Sequence, residues 1–421
     1  MKQTLAKIFT LSALLITTVT APCFGLSLDF TVATSTNPDG LAINSTGNTY
    51  VANFAANTLF KYSAGGTKLW SAPTGAGPIG TAVDTAGNIF VVNSGANTLS
   101  KISSLAIPAW TVPTGTTPVG LAIDSAGSVY VVNSGANSFT KYSNGGVSLW
   151  TVPTGAGPSA ITLDAAGNIF IVNSAASTLM KFSSLGALQW TIATGATPKA
   201  VLTDNSGNVY VVNYGSNSLM KFTNGGTWLW TSPTGTGPIG ATIDGTGAIL
   251  VVNNGSNSLM EFTPLGVWLW TMATGAGPIK VTAQYGRAYV INYTANTLQR
   301  FTYACTSPVS PAGWTPFTDA TITAGATKIR VQHITDLRTD INVMRFDAGL
   351  SACAWTDPTV TASTTGIRKI HFDEMRTCIS AVYSICGWTT PVFTDGTIIS
   401  GSTQIRKVHV DELRLFTQNA P

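Results

Sequence analysis

The sequence predicts an all-β protein, a seven-bladed β-propeller closed by an N-terminal strand, followed by a small helical repeat domain. One observation is a 40-residue interval between equivalent positions, and another is the presence of four short strand-like runs in each unit. A third is the change to a different repeat after residue 303. Self-similarity at a fixed interval of this length is typical of propellers and solenoids, because one unit cannot bury its apolar surface alone. The interval recurs in two series, Asp84, Asp124, Asp164, Asp204 and Asp244, and Trp70, Trp110, Trp150, Trp190, Trp230 and Trp270.

The unit at 118–157 shows the four runs. They lie at 121–123, 129–132, 138–142 and 148–152, and they are rich in β-branched and aromatic residues, as strands are. The segments between them carry Gly, Asn and Pro, which supply the backbone angles of tight turns. Four strands in about 40 residues is the pattern of a propeller blade.

The number of blades follows from the two ends of the repeat. Six complete units occupy 38–277, and a seventh at 278–303 has only three strands. The missing strand is supplied by 28–34, in which Phe30 lies 40 residues before Trp70. An N-terminal strand that completes the last blade closes the ring and removes exposed sheet edges. We therefore expect seven blades.

The two repeated series predict structural roles. Each Asp is followed three residues later by Gly, as in Asp124 and Gly127, so its carboxylate is expected to cap a turn between strands. The Trp side chains, with Phe30 in the last blade, are expected to fill the space between neighbouring sheets.

Composition and the N-terminus limit the classes of function. The chain has 421 residues, 10% of them charged, and a net charge of +4 without a clustered basic face, which excludes a nucleic-acid binder. Residues 1–25 are typical of a secretory signal peptide, with Lys2 and Lys7 ahead of a short apolar run. Lipidation at Cys23 is the alternative, and Pro22 directly before it argues against that. No later stretch is long and apolar enough for a transmembrane helix.

The run at 120–137, GLAIDSAGSVYVVNSGAN, resembles the repeat of NHL-repeat propellers. The segment 26–303 is also similar to streptogramin (virginiamycin B) lyase-like propellers, which are seven-bladed. That resemblance implies a metal with His and Glu at the mouth of the ring, but 26–303 contains no His, and its one Glu is Glu261. No catalytic residue carries over, and we expect no metal or other cofactor. Where NHL repeats usually have Asp, this chain has Asn93, Asn133, Asn173, Asn213 and Asn253.

Candidate binding residues occur where the repeat is broken. The loops from fourth to first strand and from second to third strand emerge on one face, around the mouth of the central channel. Most blades place small or apolar residues there, and drift in exposed loops is the alternative explanation of the exceptions. In the first and last blades, which become neighbours when the ring closes, the exceptions suit a small polar ligand, a glycan or a peptide. The exceptions are Asp39, Lys199 and Lys280 in the first class of loops, and Phe54, Tyr214 and Tyr293 in the second.

A second repeat, with an interval of 38 residues, follows a linker at 304–312 and occupies 313–421. Ile367, His371 and Met375 are spaced by four and predict one face of a helix, which an extended arm precedes. The phrase is similar to a module repeated at the C-termini of bacterial surface and secreted proteins. The matching positions are Asp319, Asp357 and Asp395, His333, His371 and His409, and Arg338, Arg376 and Arg414, with Thr327, Thr365 and Thr403 as predicted N-caps.

The histidines and cysteines of this domain admit more than one interpretation. Three His could form a zinc site, but a repeated core histidine bonded to a carbonyl or to the period-matched Asp is the simpler explanation. Four cysteines follow the propeller in a chain expected to be exported, so two disulfides are predicted, with three connectivities open. They are Cys305, Cys353, Cys378 and Cys386.

These observations predict an exported, non-enzymatic binding or scaffolding protein at the bacterial surface or outside the cell, in the extracellular or periplasmic space. Its partner would be a protein, peptide or glycan held at the propeller face. A propeller-type lyase or lactone hydrolase is the alternative, and it would need a general base and usually a metal. A third interpretation is an envelope repeat protein in which the ring is a rigid spacer.

Overall fold

A computed structural model describes the propeller segment and three helical segments of the C-terminal domain. The predicted signal peptide, the linker, the three predicted N-caps, Cys305 and Cys386 lie outside the described residues. The described residues are 26–245, 247–284, 286–303, 331–347, 353–357, 359, 368–385, 391–394 and 407–418.

The propeller segment forms seven four-stranded antiparallel sheets, which confirms the predicted seven blades. Its strands are numbered β1 to β28 in chain order. The first strands of the blades are β2 (Pro38–Ile43), β6 (Pro78–Val83), β10 (Pro118–Ile123), β14 (Pro158–Leu163), β18 (Pro198–Thr203), β22 (Pro238–Ile243) and β26 (Pro278–Gln284). The second strands are β3 (Thr49–Asn53), β7 (Ile89–Asn93), β11 (Val129–Asn133), β15 (Ile169–Asn173), β19 (Val209–Asn213), β23 (Ile249–Asn253) and β27 (Arg287–Asn292).

The outer half of each blade consists of the third and fourth strands. The third strands are β4 (Thr58–Tyr62), β8 (Thr98–Ile102), β12 (Ser138–Tyr142), β16 (Thr178–Phe182), β20 (Ser218–Phe222), β24 (Ser258–Phe262) and β28 (Thr297–Tyr303). The fourth strands are β5 (Lys68–Pro73), β9 (Pro108–Pro113), β13 (Ser148–Pro153), β17 (Leu188–Ala193), β21 (Trp228–Pro233), β25 (Trp268–Ala273) and β1 (Leu26–Ala33).

The ring is closed in the predicted way. Each first strand lies against the first strands of the two neighbouring blades, and β2 lies against β26, so these strands surround the central channel. Blade 7 is composite, because β1 pairs antiparallel with β28. Phe30 lies opposite Arg300 as Trp150 lies opposite Lys141, which confirms the alignment of Phe30 with the Trp series.

The hydrophobic core lies between the blades. Every residue of β11 is buried, because the second strand of a blade is covered by both neighbouring sheets. Trp150 packs against the core shared by blades 3 and 4, and its ring lies against Gly186 of blade 4. Gly186 has a φ of 85°, and a Cβ there would lie 3.3 Å from the indole. The predicted filling role of the Trp series is therefore confirmed.

The Asp series caps turns, as predicted. Asp124 Oδ1 accepts a hydrogen bond from the Ser128 amide at 2.8 Å, and Gly127 between them has a φ of 80°. The same bond to the amide four residues on is present at Asp84, Asp164, Asp204 and Asp244.

The C-terminal domain contains three described helices, α1 (Val331–Asp347), α2 (Lys369–Ile385) and α3 (Lys407–Gln418). They share one core that includes Met375 and Ile379 of α2, and His371 of α2 is also fully buried, so the described part of the predicted face is helical as expected, whereas Ile367 lies outside the described residues. Among the described residues, no helix has the length and hydropathy needed to span a membrane.

Candidate functional site

One face of the propeller is built from two sets of turns that bond to each other. The Phe54 amide donates to the Asn37 carbonyl at 2.8 Å, joining the turn between second and third strands to the loop that enters the same blade. Asn57 Oδ1 accepts from the Gly77 amide at 2.8 Å, joining that turn to the loop entering the next blade. Such bonds around the ring hold neighbouring blades in a fixed relation at this face. The equivalent acceptors are Asn97, Asn137, Asn217, Asn257 and Asn296.

The three predicted aromatic residues lie on this face. Phe54, Tyr214 and Tyr293 occupy the first position of the turn between second and third strands. Phe54 is 37% exposed and Tyr214 is 41% exposed, whereas Tyr293 is half-buried at the junction of blades 7 and 1.

The three charged candidates are not in loops, which corrects the prediction. Asp39, Lys199 and Lys280 lie in β2, β18 and β26, so they belong to the wall of the central channel. The strand begins earlier than the loop composition indicates, because its initial proline already pairs with the second strand, as Pro38 does with Asn53.

The structure brings Asp39 and Lys280 together. A Cβ at Gly40 would lie 2.9 Å from Thr81 Cγ2 in blade 2, so Leu41, on the alternate side of β2, faces blade 7, whereas Asp39 lies in the β-bulge between Pro38 and Gly40. Leu41 accordingly packs against the core shared by blades 7 and 1. Lys280 pairs with Ile291 as Gly40 pairs with Ala52, so Lys280 occupies the glycine position that faces the next blade. Lys280 therefore faces blade 1, close enough for its positive charge to act on Asp39, although no ion pair joins these two described residues.

Burial and charge act against each other at Asp39. Burial raises the pKa of the Asp39 carboxyl above its usual value, and the positive charge of Lys280 opposes part of that rise. We call Asp39, Lys280 and the aromatic residues Phe54 and Tyr293 of the same two blades the junction site.

Lys199 and Tyr214 do not belong to the junction site. Both lie in blade 5, whose first strand β18 lies against β14 and β22. Blade 6 therefore separates them from blade 7 along the ring.

A cavity of about 150 Å³ in the central channel was not predicted. The first strands of blades 1 to 4 form most of its wall, and Lys280 reaches it from blade 7. We call it the channel cavity. Its wall consists mainly of small and aliphatic residues from several blades, which no single repeat marks as a site.

A series of lysines near the C-terminal ends of the third strands was also not predicted, although it repeats at a fixed interval in the sequence. A Lys recurs every 40 residues, and its ammonium lies over an aromatic ring of the second strand, as Lys141 lies 4.8 Å from the centre of the Tyr130 ring. Lys141 also pairs with Asp124 at 3.4 Å. These contacts are structural, and the series is Lys61, Lys101, Lys141, Lys181 and Lys221.

In the C-terminal domain His371 contacts the period-matched Asp357, with Nε2 2.8 Å from Oδ2. Its Nδ1 accepts from the Arg368 amide at 3.2 Å, so both ring nitrogens are occupied. His333 and His409 are also fully buried. Within the described residues, no three His, Cys, Asp or Glu side chains come together in a way that could hold a metal ion.

One disulfide is present among the described residues. Cys353, in the arm before α2, is bonded to Cys378 within α2, with 6.2 Å between their Cα atoms. This gives one of the two predicted pairs its partners, and the other two cysteines lie outside the described part of the chain.

No protein-family model matches the chain, and no curated protein matches its sequence. Virginiamycin B lyase from Staphylococcus aureus is similar in fold, with a TM-score of 0.61 at 14% identity over 66% of this chain and 99% of that protein. A streptogramin B lyase has a TM-score of 0.60 at 15% identity, over 66% and 97% of the two chains. Hydrazine synthase from Kuenenia stuttgartiensis has a TM-score of 0.58 at 15% identity, over 65% and 98%. These neighbours show the propeller fold.

Proposed function

We propose that this propeller is the recognition surface of an exported, non-enzymatic binding or scaffolding protein. In this proposal 1–25 is a secretory signal peptide, and 26–303 is an NHL-type propeller whose face binds a protein, peptide or glycan. The C-terminal repeats would attach the protein at the bacterial surface or outside the cell, by analogy with the usual terminal position of such modules.

The observation that carries the proposal is the junction site. Two charged side chains and two aromatic side chains, each a departure from its repeat, come from blades 7 and 1 and lie near one mouth of the channel. A few polar groups among apolar ones is the usual composition of a ligand site. The hydrogen bonds that backbone amides donate between neighbouring turns hold the site in one geometry, which lowers the entropy cost of binding.

The test is a search for ligands with the purified full chain on a glycan array and a peptide array, followed by binding measurements on paired variants. Changing Lys280→Ala and Tyr293→Ala together is expected to weaken binding by about tenfold or more, because each loses a charged or aromatic contact. The matched control is Lys68→Ala with Trp228→Ala, which removes the same residue classes from exposed positions on outer strands.

The two outcomes are distinct. Binding that survives the junction pair but fails in the control pair would contradict this placement of the ligand. No binding on either array would instead favour the rigid-spacer interpretation.

The alternative function, a propeller-type lyase or lactone hydrolase, is supported by the likeness in fold to virginiamycin B lyase. It can be tested by incubating the chain with macrocyclic lactones and divalent metal ions and following ring opening by mass spectrometry. Turnover that depends on the added metal would replace the binding proposal.

A further inference from the structure

The channel cavity is lined mainly by small and aliphatic residues with one charged group, and about half of its exposed wall is polar. Leu41, Leu121 and Ile161 contribute aliphatic side chains from blades 1, 3 and 4. Of the described residues that line it, only Lys280 is charged. A ligand that fits must therefore combine a hydrocarbon part with a group that complements an ammonium.

The size of the cavity limits the hydrocarbon part. At about 150 Å³ it matches the volume of an apolar protein cavity that accommodates one benzene ring. Because the cavity opens to the channel, this volume limits only the part of a ligand that lies inside it, a chain or ring of roughly six carbon atoms.

The polar side chains in the wall differ in whether they can donate a hydrogen bond to a ligand. Lys280 has three ammonium hydrogens and no acceptor, so it suits an anion. The hydroxyl of Thr81 is buried, and Thr81 Oγ1 has no hydrogen-bond partner among the described residues. The Ser159 hydroxyl, by contrast, already donates to the Pro198 carbonyl at 2.7 Å. Because the Thr81 oxygen is buried against Gly40 and has no surface exposed to the cavity, Lys280 is the side-chain donor that the described wall offers to a ligand.

The position of Lys280 sets blade 7 apart from the regular blades. The equivalent residue is Gly or Ala in each of the other six blades, and at three of the four glycines, Gly40, Gly80 and Gly240, the neighbouring first strand comes close. At Gly240, for example, a Cβ would lie 2.5 Å from the Ile279 carbonyl oxygen. A long cationic side chain at such a position is costly unless its charge is used, and the nearby Asp39 carboxylate offsets part of that charge without forming an ion pair with it in the described structure.

We propose that the channel cavity binds a small monocarboxylate of about six carbons, with its carboxylate on Lys280 and its hydrocarbon part against Leu41, Leu121 and Ile161. Asp39 is the counter-ion of Lys280 when the cavity holds no ligand. The proposal rests on the proposed function in that both place ligand contacts at Lys280, and it supplies a chemical class of small ligand.

Sodium hexanoate is the probe, titrated into the full chain by calorimetry, with hexan-1-ol and hexylamine as neutral and cationic controls of the same length. We expect hexanoate to bind most tightly of the three. Lys280→Met keeps the side-chain length and removes the charge, so it is expected to weaken hexanoate by about tenfold or more and to leave hexan-1-ol unchanged. Lys68→Met on the outer strand β5 makes the same substitution outside the cavity and is expected to bind as the original chain does.

A second variant tests the volume independently of charge. Gly120 lines the cavity, and a Cβ added there meets no atom within 4 Å, so Gly120→Val fills the space without disturbing the backbone. It is expected to weaken hexanoate and hexan-1-ol together. This variant also decides the question if Lys280→Met does not fold.

The proposal is overturned if hexanoate does not bind the original chain. It is also overturned if hexanoate binds Gly120→Val and Lys280→Met as tightly as it binds the original chain. If hexanoate does not bind while binding of an array ligand still depends on Lys280 and Tyr293, only the proposal of a monocarboxylate ligand is contradicted. If hexanoate binds and no array ligand is found, the proposed recognition at the propeller face is contradicted, and the proposed carboxylate site in the channel cavity is supported.

Discussion

The propeller and the C-terminal domain are both repeats, but they join neighbouring units through different chemistry. In the propeller, the indole of Trp150 lies against a glycine of the following blade, and the contact is apolar. In the C-terminal domain, the guanidinium of Arg338 lies 4.6 Å from the centre of the Trp355 ring in the following repeat. It also donates to the Asp357 carbonyl at 2.7 Å and pairs with Glu374 at 3.4 Å.

The arginine junction is itself repeated. Arg376 lies 4.8 Å from the Phe393 ring, donates to the Thr394 carbonyl at 3.0 Å and lies 3.8 Å from Glu412. The carboxylate of Glu412 in turn accepts from the Thr394 amide at 2.7 Å. Apolar burial is non-directional, whereas these bonds need one geometry and one charge state. The difference teaches that the Trp–Gly contacts of the ring depend on shape, whereas the helical domain adds charged junctions and a cross-link to the apolar core of α1, α2 and α3.

The largest expected effect is on the cross-link. Cys353→Ser opens a loop closed across 25 residues, which should lower the free energy of unfolding of the C-terminal domain by about 3 kcal/mol. Hydrogen exchange of α1, α2 and α3 in the full chain measures the loss locally. The propeller segment, which contains no cysteine, is the internal control, and equal loss there would contradict the distinction between the two regions.

The next effect tests the arginine junction. Arg338→Met keeps the aliphatic contact with Trp355 and leaves Glu374 without its cation, so we expect about 2 kcal/mol of destabilisation in α1 and α2. Arg368→Met removes an ion pair to Asp357 from an exposed side chain, and it should cost about 0.5 kcal/mol. Similar losses of stability in the two variants, measured by the same hydrogen exchange, would show that the buried arginine junction contributes no more to stability than the exposed ion pair does.

A glycine in the propeller tests the apolar junction. Gly146 has a φ of 86°, and a Cβ there would lie 3.1 Å from the Trp110 ring, so Gly146→Ala should destabilise the ring by about 1 to 2 kcal/mol. Gly120→Ala in the same blade meets no atom and should change stability by about 0.5 kcal/mol or less. Chemical denaturation measures the free energy of unfolding of both variants. An unchanged value for Gly146→Ala would mean that the indole of Trp110 is not packed closely against this glycine.

The smallest effects are those of pH, and they have opposite signs in the two regions. The His371 hydrogen bond and Arg368 lower the pKa of Asp357 below 3.8, so its contribution is present above pH 3.8 and is lost as the pH falls through the folded value. Burial raises the pKa of Asp39 above 3.8, so the folded propeller takes up a proton and gains stability as the pH falls through that higher value, reaching the full gain below pH 3.8.

Calorimetry between pH 7 and pH 3 separates the two carboxylates. Asp39→Asn should remove the part of the propeller's pH dependence due to this residue, and Asp357→Asn should do so in the C-terminal domain. If both variants changed the pH dependence in the same direction, one of the two assigned causes would be wrong.

Much of the fold was predictable because its signals are local and repeated. The Asp and Trp series mark turns and inter-blade packing, and the alignment of Phe30 with Trp70 identifies the closing strand without coordinates. The junction site was predictable only in part. Neighbouring blades follow from ring closure, but the loop placement of Asp39 and Lys280 is wrong, since the proline that ends each turn already pairs with the second strand.

By itself the sequence determined the number of blades, the closure by β1 and the helical face around His371, because periodicity dictates which side chains must be buried. Tertiary structure decided that Asp39 and Lys280, from opposite ends of the repeat, lie in neighbouring blades close enough for their charges to interact, and that Lys280 reaches a cavity walled by blades 1 to 4. It also decided that Arg338 and Arg376 each bridge to the following repeat. The physical reason is that these contacts join strands and helices that are remote or irregular in the sequence, and only packing sets which of their faces meet.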